Sequence, residues 1–178
     1  MKIDASGYLD QAYQINSPNC DERPEKCEIN LLVIHNISLP PNEYGGDGVI
    51  ELFTNQINPD GHAYYQTLIG VKVSAHFFIR RDGSIIQFVS CLKRAWHAGT
   101  SSWQNKTRCN DFSIGIELEG SDTEAFTEKQ YSSLTQLTQT LQNVYPITEI
   151  VGHSDIAPGR KTDPGSYFDW TNYLSSLR

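Results

Sequence analysis

His35, His153 and Asp163 offer two imidazoles and one carboxylate, a set that holds a catalytic zinc and leaves a fourth position for water. His35 closes the apolar run Leu31-Leu32-Val33-Ile34, while His153 and Asp163 fall within residues 152–165. His35 is far from the other two along the chain, so the site exists only after folding. Zinc in such a set keeps a net positive charge, lowers the pKa of bound water to roughly 7 and polarises a carbonyl oxygen. That chemistry suits amide hydrolysis, which also requires a proton acceptor and stabilisation of the tetrahedral oxyanion.

Glu117 is the expected base. Residues 112–119 alternate, with Ile114, Ile116 and Leu118 on one face and Ser113, Gly115, Glu117 and Glu119 on the other. If the apolar face meets the core, Glu117 faces a groove, and the small Gly115 leaves room for substrate. Glu119 competes from nearer the strand end, where a solvated carboxylate is the default. Lys161 is the expected oxyanion partner, because residues two apart in an extended segment share a side and Lys161 then faces the same metal as Asp163. The alternative is a solvated surface lysine. His76 is the rival ligand, set against a hydrogen-bonded structural histidine. His62 reads as a loop residue, and His97 either touches substrate or braces its loop. Lys72, Arg94, Trp96, Lys106 and Arg108 are candidates for a groove taking an anionic, partly apolar substrate. Trp96 and Trp103, in one Gly/Ser-rich loop, are candidate aromatic contacts.

The elements that must position these residues are legible in outline. Residues 29–34 read as a short buried strand ahead of His35. Val49, Leu52, Phe53 and Ile57 recur at helical spacing until Asn58-Pro59-Asp60-Gly61 stops them. Between strand and helix, residues 40–48 are glycine-rich and read as a movable cover beside His35. Residues 73–79 alternate, Asp82-Gly83 follows, and residues 84–89 are again apolar: a hairpin. Thr127 and Gln130 have capping-box spacing ahead of the stripe Tyr131, Leu134, Leu137, Leu141 and Val144, which Pro146 ends. Residues 147–151 form a short strand that delivers His153, and Trp170, Tyr173, Leu174 and Leu177 mark a last helix. The pattern predicts a single α/β domain: a mixed central β-sheet flanked by helices, with a zinc groove on one face. Residues 1–28 read as a surface arm of that domain and residues 29–178 as its body.

At 178 residues the chain is long enough for one substantial core, and its net charge of −7 argues against bulk attraction to nucleic acid or an anionic membrane. Residues 1–14 show no secretory h-region and no apolar run is long enough to span a bilayer, so a cytoplasmic location is expected. Cys20, Cys27, Cys91 and Cys109 form no Cys-x-x-Cys pair and read as free thiols.

Several segments also match a family. Val33-Ile34-His35-Asn36-Ile37-Ser38-Leu39-Pro40-Pro41 resembles the first zinc segment of the cytoplasmic anhydro-N-acetylmuramyl-L-alanine amidases of Gram-negative bacteria. Val73-Ser74-Ala75-His76-Phe77, Arg94-Ala95-Trp96-His97-Ala98-Gly99, Ser113-Ile114-Gly115-Ile116-Glu117-Leu118-Glu119 and residues 152–165 follow in the family's order. The resemblance implies cleavage of the amide between the lactyl group of anhydro-muramic acid and L-alanine of the stem peptide. This recycles cell-wall fragments, whose levels in some bacteria control β-lactamase induction. It implies His35, His153 and Asp163 as zinc ligands, Glu117 as the catalytic carboxylate and Lys161 as the oxyanion residue, with His76 outside the ligand set. It further implies that Asn36, Tyr64, Ala95 and Trp96 line the sugar and lactyl end, and that Arg108 holds a peptide carboxylate with Leu118 nearby. Lys72 stands where relatives often carry Arg, exchanging a bidentate contact for a point charge. The expected partner is an anhydro-muropeptide, the expected state a monomer. A binding-only peptidoglycan module and an amidase of the intact wall are the competing readings.

Overall fold

The computed structural model describes residues 1–178. In chain order the strands are β1 (Tyr13–Gln14), β2 (Cys20–Glu22), β3 (Leu31–Ile37), β4 (Phe77–Ile79), β5 (Ile85–Gln87), β6 (Lys93–Ala95), β7 (Ser102–Trp103), β8 (Lys106–Thr107), β9 (Ser113–Glu119) and β10 (Glu149–Gly152). The helices are α1 (Gly48–Phe53), α2 (Glu128–Gln142), α3 (His153–Ile156) and α4 (Trp170–Ser176).

The main sheet has six strands in the order β1-β5-β4-β9-β3-β10. Strands β10, β3, β9 and β4 run parallel, β5 is antiparallel to β4, and β1 lies parallel to β5. The sheet is therefore mixed, as the sequence predicts. Every residue of β9 is buried, which marks a central strand covered on both faces.

Alternation along β3 and β9 sorts the side chains between those faces. Leu32, Ile34, Ile114, Ile116 and Leu118 pack with Leu134, Leu137 and Leu141 of α2 and Tyr173 of α4. Each such buried side chain contributes about 1.5–3 kcal/mol of transfer free energy. The opposite face carries Leu31 and Val33 beneath Ala98, Phe112, Val151 and Ile156, and it turns polar toward the C-terminal strand ends. Helix α2 starts at the expected capping box: Thr127 Oγ1 accepts from Gln130 N, and Gln130 Oε1 accepts from Thr127 N.

Three of the element boundaries that differ from expectation have a clear local cause. Helix α1 stops at Phe53 because Asn55 turns left-handed (φ 60°) and Gln56 N bonds back to Glu51 O, leaving Ile57 outside. The first hairpin strand ladders only from Phe77, since Ser74 N bonds instead to Trp96 O. Val144 follows the Asn143 cap of α2 and is 50% exposed.

Residues 1–28 are tied into the same body. Leu9 is fully buried in the core, β1 extends the sheet and β2 pairs with β6. The guanidinium of Arg23 donates to the carbonyls of Cys91, Asn110, Asp111 and Ser113 at 2.8–3.3 Å. The four cysteines are free, and no helix is long and apolar enough to cross a membrane.

Candidate functional site

The parallel strands β3, β9 and β10 all deliver polar residues at their C-terminal ends, where open α/β sheets place their ligand sites. His35 stands on β3 directly beside Glu117 of β9 in the ladder, so both project from one face. His153 opens α3 immediately after β10. Asp163 is returned to it because Ser154 N donates to Asp163 O at 2.9 Å. Gly152 permits this approach: a Cβ there would meet Pro164 Cδ at 2.8 Å.

The three expected ligands converge. His35 Nδ1 lies 2.9 Å from His153 Nδ1 and 2.9 Å from Asp163 Oδ2, and His153 Nδ1 lies 3.0 Å from the same oxygen. The Ala98 carbonyl, which can only accept, sits 3.1 Å from His153 Nε2, so in the neutral ring that nitrogen carries the proton and Nδ1 presents its lone pair. That lone pair and the carboxylate oxygen 3.0 Å away repel unless a proton or a metal cation lies between them. Burial pulls His35 down to about 4, against the opposing pull of Asp163, which keeps its imidazole neutral and able to ligate. Ligand atoms around a tetrahedral zinc stand about 3.3–3.5 Å apart, given bonds of about 2.0–2.2 Å. The set therefore fits a small divalent cation with a slight opening, and it is the group of His, Cys, Asp and Glu residues whose donors meet closely enough for one.

Glu117 flanks this centre, with Oε1 4.0 Å from His35 Nδ1 and Oε2 buried without a hydrogen-bond partner. Burial pushes its carboxyl well above the usual range, the charge of Asp163 adds to the rise, and Lys161 opposes it. Lys161 is exposed and lines a groove of about 670 Å³ together with Asn36, Tyr64, Asp122, Thr162 and Asp163. Beyond the centre the groove continues along Lys72, Trp96, Gly99 and Arg160.

Other expectations are corrected by packing. Leu118 is fully buried on the α2 side of the sheet, opposite Glu117, so its side chain cannot reach the groove. Ala95 is likewise fully buried, in the cluster around Phe78 and Phe88. Arg94 is committed to Asp21 and Asp111, with contacts of 2.5–2.7 Å. Arg108 pairs with Asp111 at 3.2 Å and is 68% exposed, outside the groove lining. Trp103 and Lys106 line a separate small cleft beside Phe112. Glu119 is not solvated: Oε1 accepts from Gly45 N at 2.6 Å and Oε2 from Arg81 N at 2.9 Å. The 40–48 loop, expected to move, is thereby pinned, and Arg80 holds it again through Gly46 O and Asp47. The space beside Gly115 is filled not by substrate room but by the His97 ring, 2.5 Å from where a Cβ would stand. His76 accepts from Gly115 N on Nδ1 and donates from Nε2 to Lys93 O, so it is structural; Arg23 Nη2, 3.1 Å from that Nε2, is a donor facing a donor.

Two groove residues escaped the sequence reading. Asp122 accepts from Asn36 Nδ2 at 2.7 Å and from the Thr162 hydroxyl, bridging the end of β3 to the ligand loop. Arg160 donates to the carbonyls of Ala98 and Thr100. Arg160 lay in a segment that already stood out; Asp122 carried no local signal.

The sequence model described as N-acetylmuramoyl-L-alanine amidase matches residues 25–166. The 1,6-anhydro-N-acetylmuramyl-L-alanine amidase AmpD of Escherichia coli K12 is 52% identical over 169 residues, covering 94% of this chain and 92% of the relative. A crystal structure of an AmpD derivative superposes with TM-score 0.97 at 50% identity, covering both chains in full. The E. coli amidase AmiD, solved with anhydro-N-acetylmuramic acid-L-Ala-D-gamma-Glu-L-Lys, superposes with TM-score 0.63 at 29% identity over 87% of this chain and 60% of that one.

Proposed function

The chain belongs to the N-acetylmuramoyl-L-alanine amidase family and is a hydrolase; from that premise we propose that it cleaves anhydro-muropeptides during cell-wall recycling, using a zinc ion held by His35, His153 and Asp163. The observation that carries the metal reading is the meeting of His35 Nδ1, His153 Nδ1 and Asp163 Oδ2 within 3.0 Å of one another. The substrate class is supported by the 52% identity to AmpD across 94% of the chain.

Zinc, when bound, supplies Lewis acidity toward the scissile carbonyl and acidifies water in the fourth position. The bond broken joins the lactyl carbonyl carbon to the nitrogen of L-alanine. Glu117 takes the proton of the attacking water and returns it to the departing amine. Burial and the charge of Asp163 hold its carboxyl above the usual range, the direction that favours its accepting a proton. Lys161 places its ammonium against the oxyanion that develops on the carbonyl oxygen. Lys72 and Trp96 on one side, and Asn36 and Tyr64 on the other, contact the substrate.

The same reading makes residues 29–178 the amidase body and residues 1–28 an arm of that domain. It sets the enzyme in the cytoplasm as a monomer with neither nucleic acid nor membrane as partner, in keeping with the net charge of −7. Mass spectrometry of products tests the substrate assignment. Zinc-loaded protein is incubated with anhydro-muramyl-tripeptide and, separately, with intact muropeptide. Free tripeptide from the anhydro substrate alone is the expected result. Cleavage of both would make this a broader wall amidase, and cleavage of neither, with zinc bound, would favour a binding module.

A further inference from the structure

His97 lies behind the metal centre. Its Nδ1 is 2.9 Å from His35 Nε2 and its Nε2 is 3.1 Å from Ser113 Oγ. The two rings meet edge to face at 5.0 Å. The next residue, Ala98, places its carbonyl 3.1 Å from His153 Nε2. One dipeptide thus touches the rear nitrogen of both imidazoles whose front nitrogens converge on Asp163.

The dipeptide is itself held firmly. Asn110 Oδ1 accepts from the backbone N–H of both His97 and Ala98, at 3.2 and 2.8 Å. Arg160 Nη2 donates to the Ala98 carbonyl at 2.8 Å. Beneath the ring, Gly115 is the residue on β9 that leaves it room, and Ser113 is its hydrogen-bond partner on the same strand face. A side chain at position 115 would drive the ring away from His35.

We infer that His97 is a positioning residue of the metal centre: it fixes the tautomer and orientation of His35, as the adjacent Ala98 carbonyl does for His153. This rests on the metal reading above. With a cation on Nδ1, His35 keeps its single proton on Nε2 and donates it to His97 Nδ1. His97 then carries its own proton on Nε2 and donates it to Ser113 Oγ. Such outer partners orient a ligating imidazole and raise its basicity, and losing one costs about 10–100-fold in metal affinity. A neutral acceptor at this point differs from the more usual carboxylate in adding no negative charge to a site that already holds Asp163 and Glu117.

The test measures zinc affinity by competition with a chromogenic chelator, alongside thermal melting of each metal-free protein. His97→Leu fills the space without an acceptor, and His97→Asn returns an oxygen near the position of Nδ1. The expected result is an affinity loss of about 10–100-fold for His97→Leu, largely recovered in His97→Asn. Ser113→Ala, which leaves the ring in place but removes its acceptor, is expected to weaken zinc by a smaller factor and carries the test if His97→Leu does not fold. Wild-type affinity in folded His97→Leu, or in Ser113→Ala where only that variant folds, would overturn the inference, as would equal losses in His97→Leu and His97→Asn. A wild-type protein that binds no zinc would instead remove the metal reading, and this inference with it.

Discussion

Glu117 carries the sharpest expectation at the scale of single residues. Its Oε2 is buried and unpartnered, a condition a folded protein retains where the group has work to do beyond stability. Glu117→Gln keeps the shape and removes the carboxylate proposed as the base, so zinc content should stay at the wild-type level while turnover falls by about 10²–10⁴-fold. Near wild-type turnover would move the base elsewhere. It would not move to Glu119, whose two oxygens are both engaged by backbone N–H groups. The convergence of His35, His153 and Asp163 beside Glu117 was legible because each sits in a short segment whose alternation or composition set it apart. Leu118 illustrates the opposite: its spacing from Ile114 and Ile116 already assigned it to the core, and the contact implied by resemblance ran against that spacing. Arg94 was illegible because its partners Asp21 and Asp111 lie 73 and 17 residues away.

Among the elements, the loop at residues 40–48 changed most in meaning. Its glycines suggested mobility, yet Glu119 fastens it to the turn after β4 by holding Gly45 N and Arg81 N together. Glu119→Ala leaves two backbone donors without their charged acceptor and should lower stability by about 3 kcal/mol in denaturant unfolding, with zinc stoichiometry unchanged. A loss under about 0.5 kcal/mol would show that solvent replaces the clamp and restore the mobile reading. Strands and helices with a long clear period were readable, α2 with its capping box above all. The ends of α1 and of the first hairpin strand were not. A left-handed Asn55 and a Ser74–Trp96 backbone bond decide them, and neither leaves a periodic trace.

Across the whole molecule, the arm, the sheet and the site meet at His76. Burial, reinforced by the charge of Arg23, pulls its pKa down to about 3, against about 6.5 in an unfolded chain. Between those values the unfolded chain binds a proton that the fold refuses. Stability therefore rises with pH through this window and falls as pH drops from about 6.5 toward 3. One such group contributes a slope of up to about 1.4 kcal/mol per pH unit. In metal-free protein, His76→Gln should flatten the slope of unfolding free energy between pH 6 and 4 by about one proton, whatever it does to the absolute value. An unchanged slope would mean that His76 titrates normally in the fold. The arm's part in this was hidden from the sequence, because Arg23 is satisfied by carbonyls rather than by any acidic partner that composition could suggest.

Zinc content and peptide release, measured on the same preparations of wild-type protein and Asp163→Ala, test the central claim most directly. The account predicts one zinc per wild-type chain with release of the stem peptide from anhydro-muramyl-tripeptide, and neither in Asp163→Ala. An Asp163→Ala protein that is folded, free of zinc and still active would contradict it.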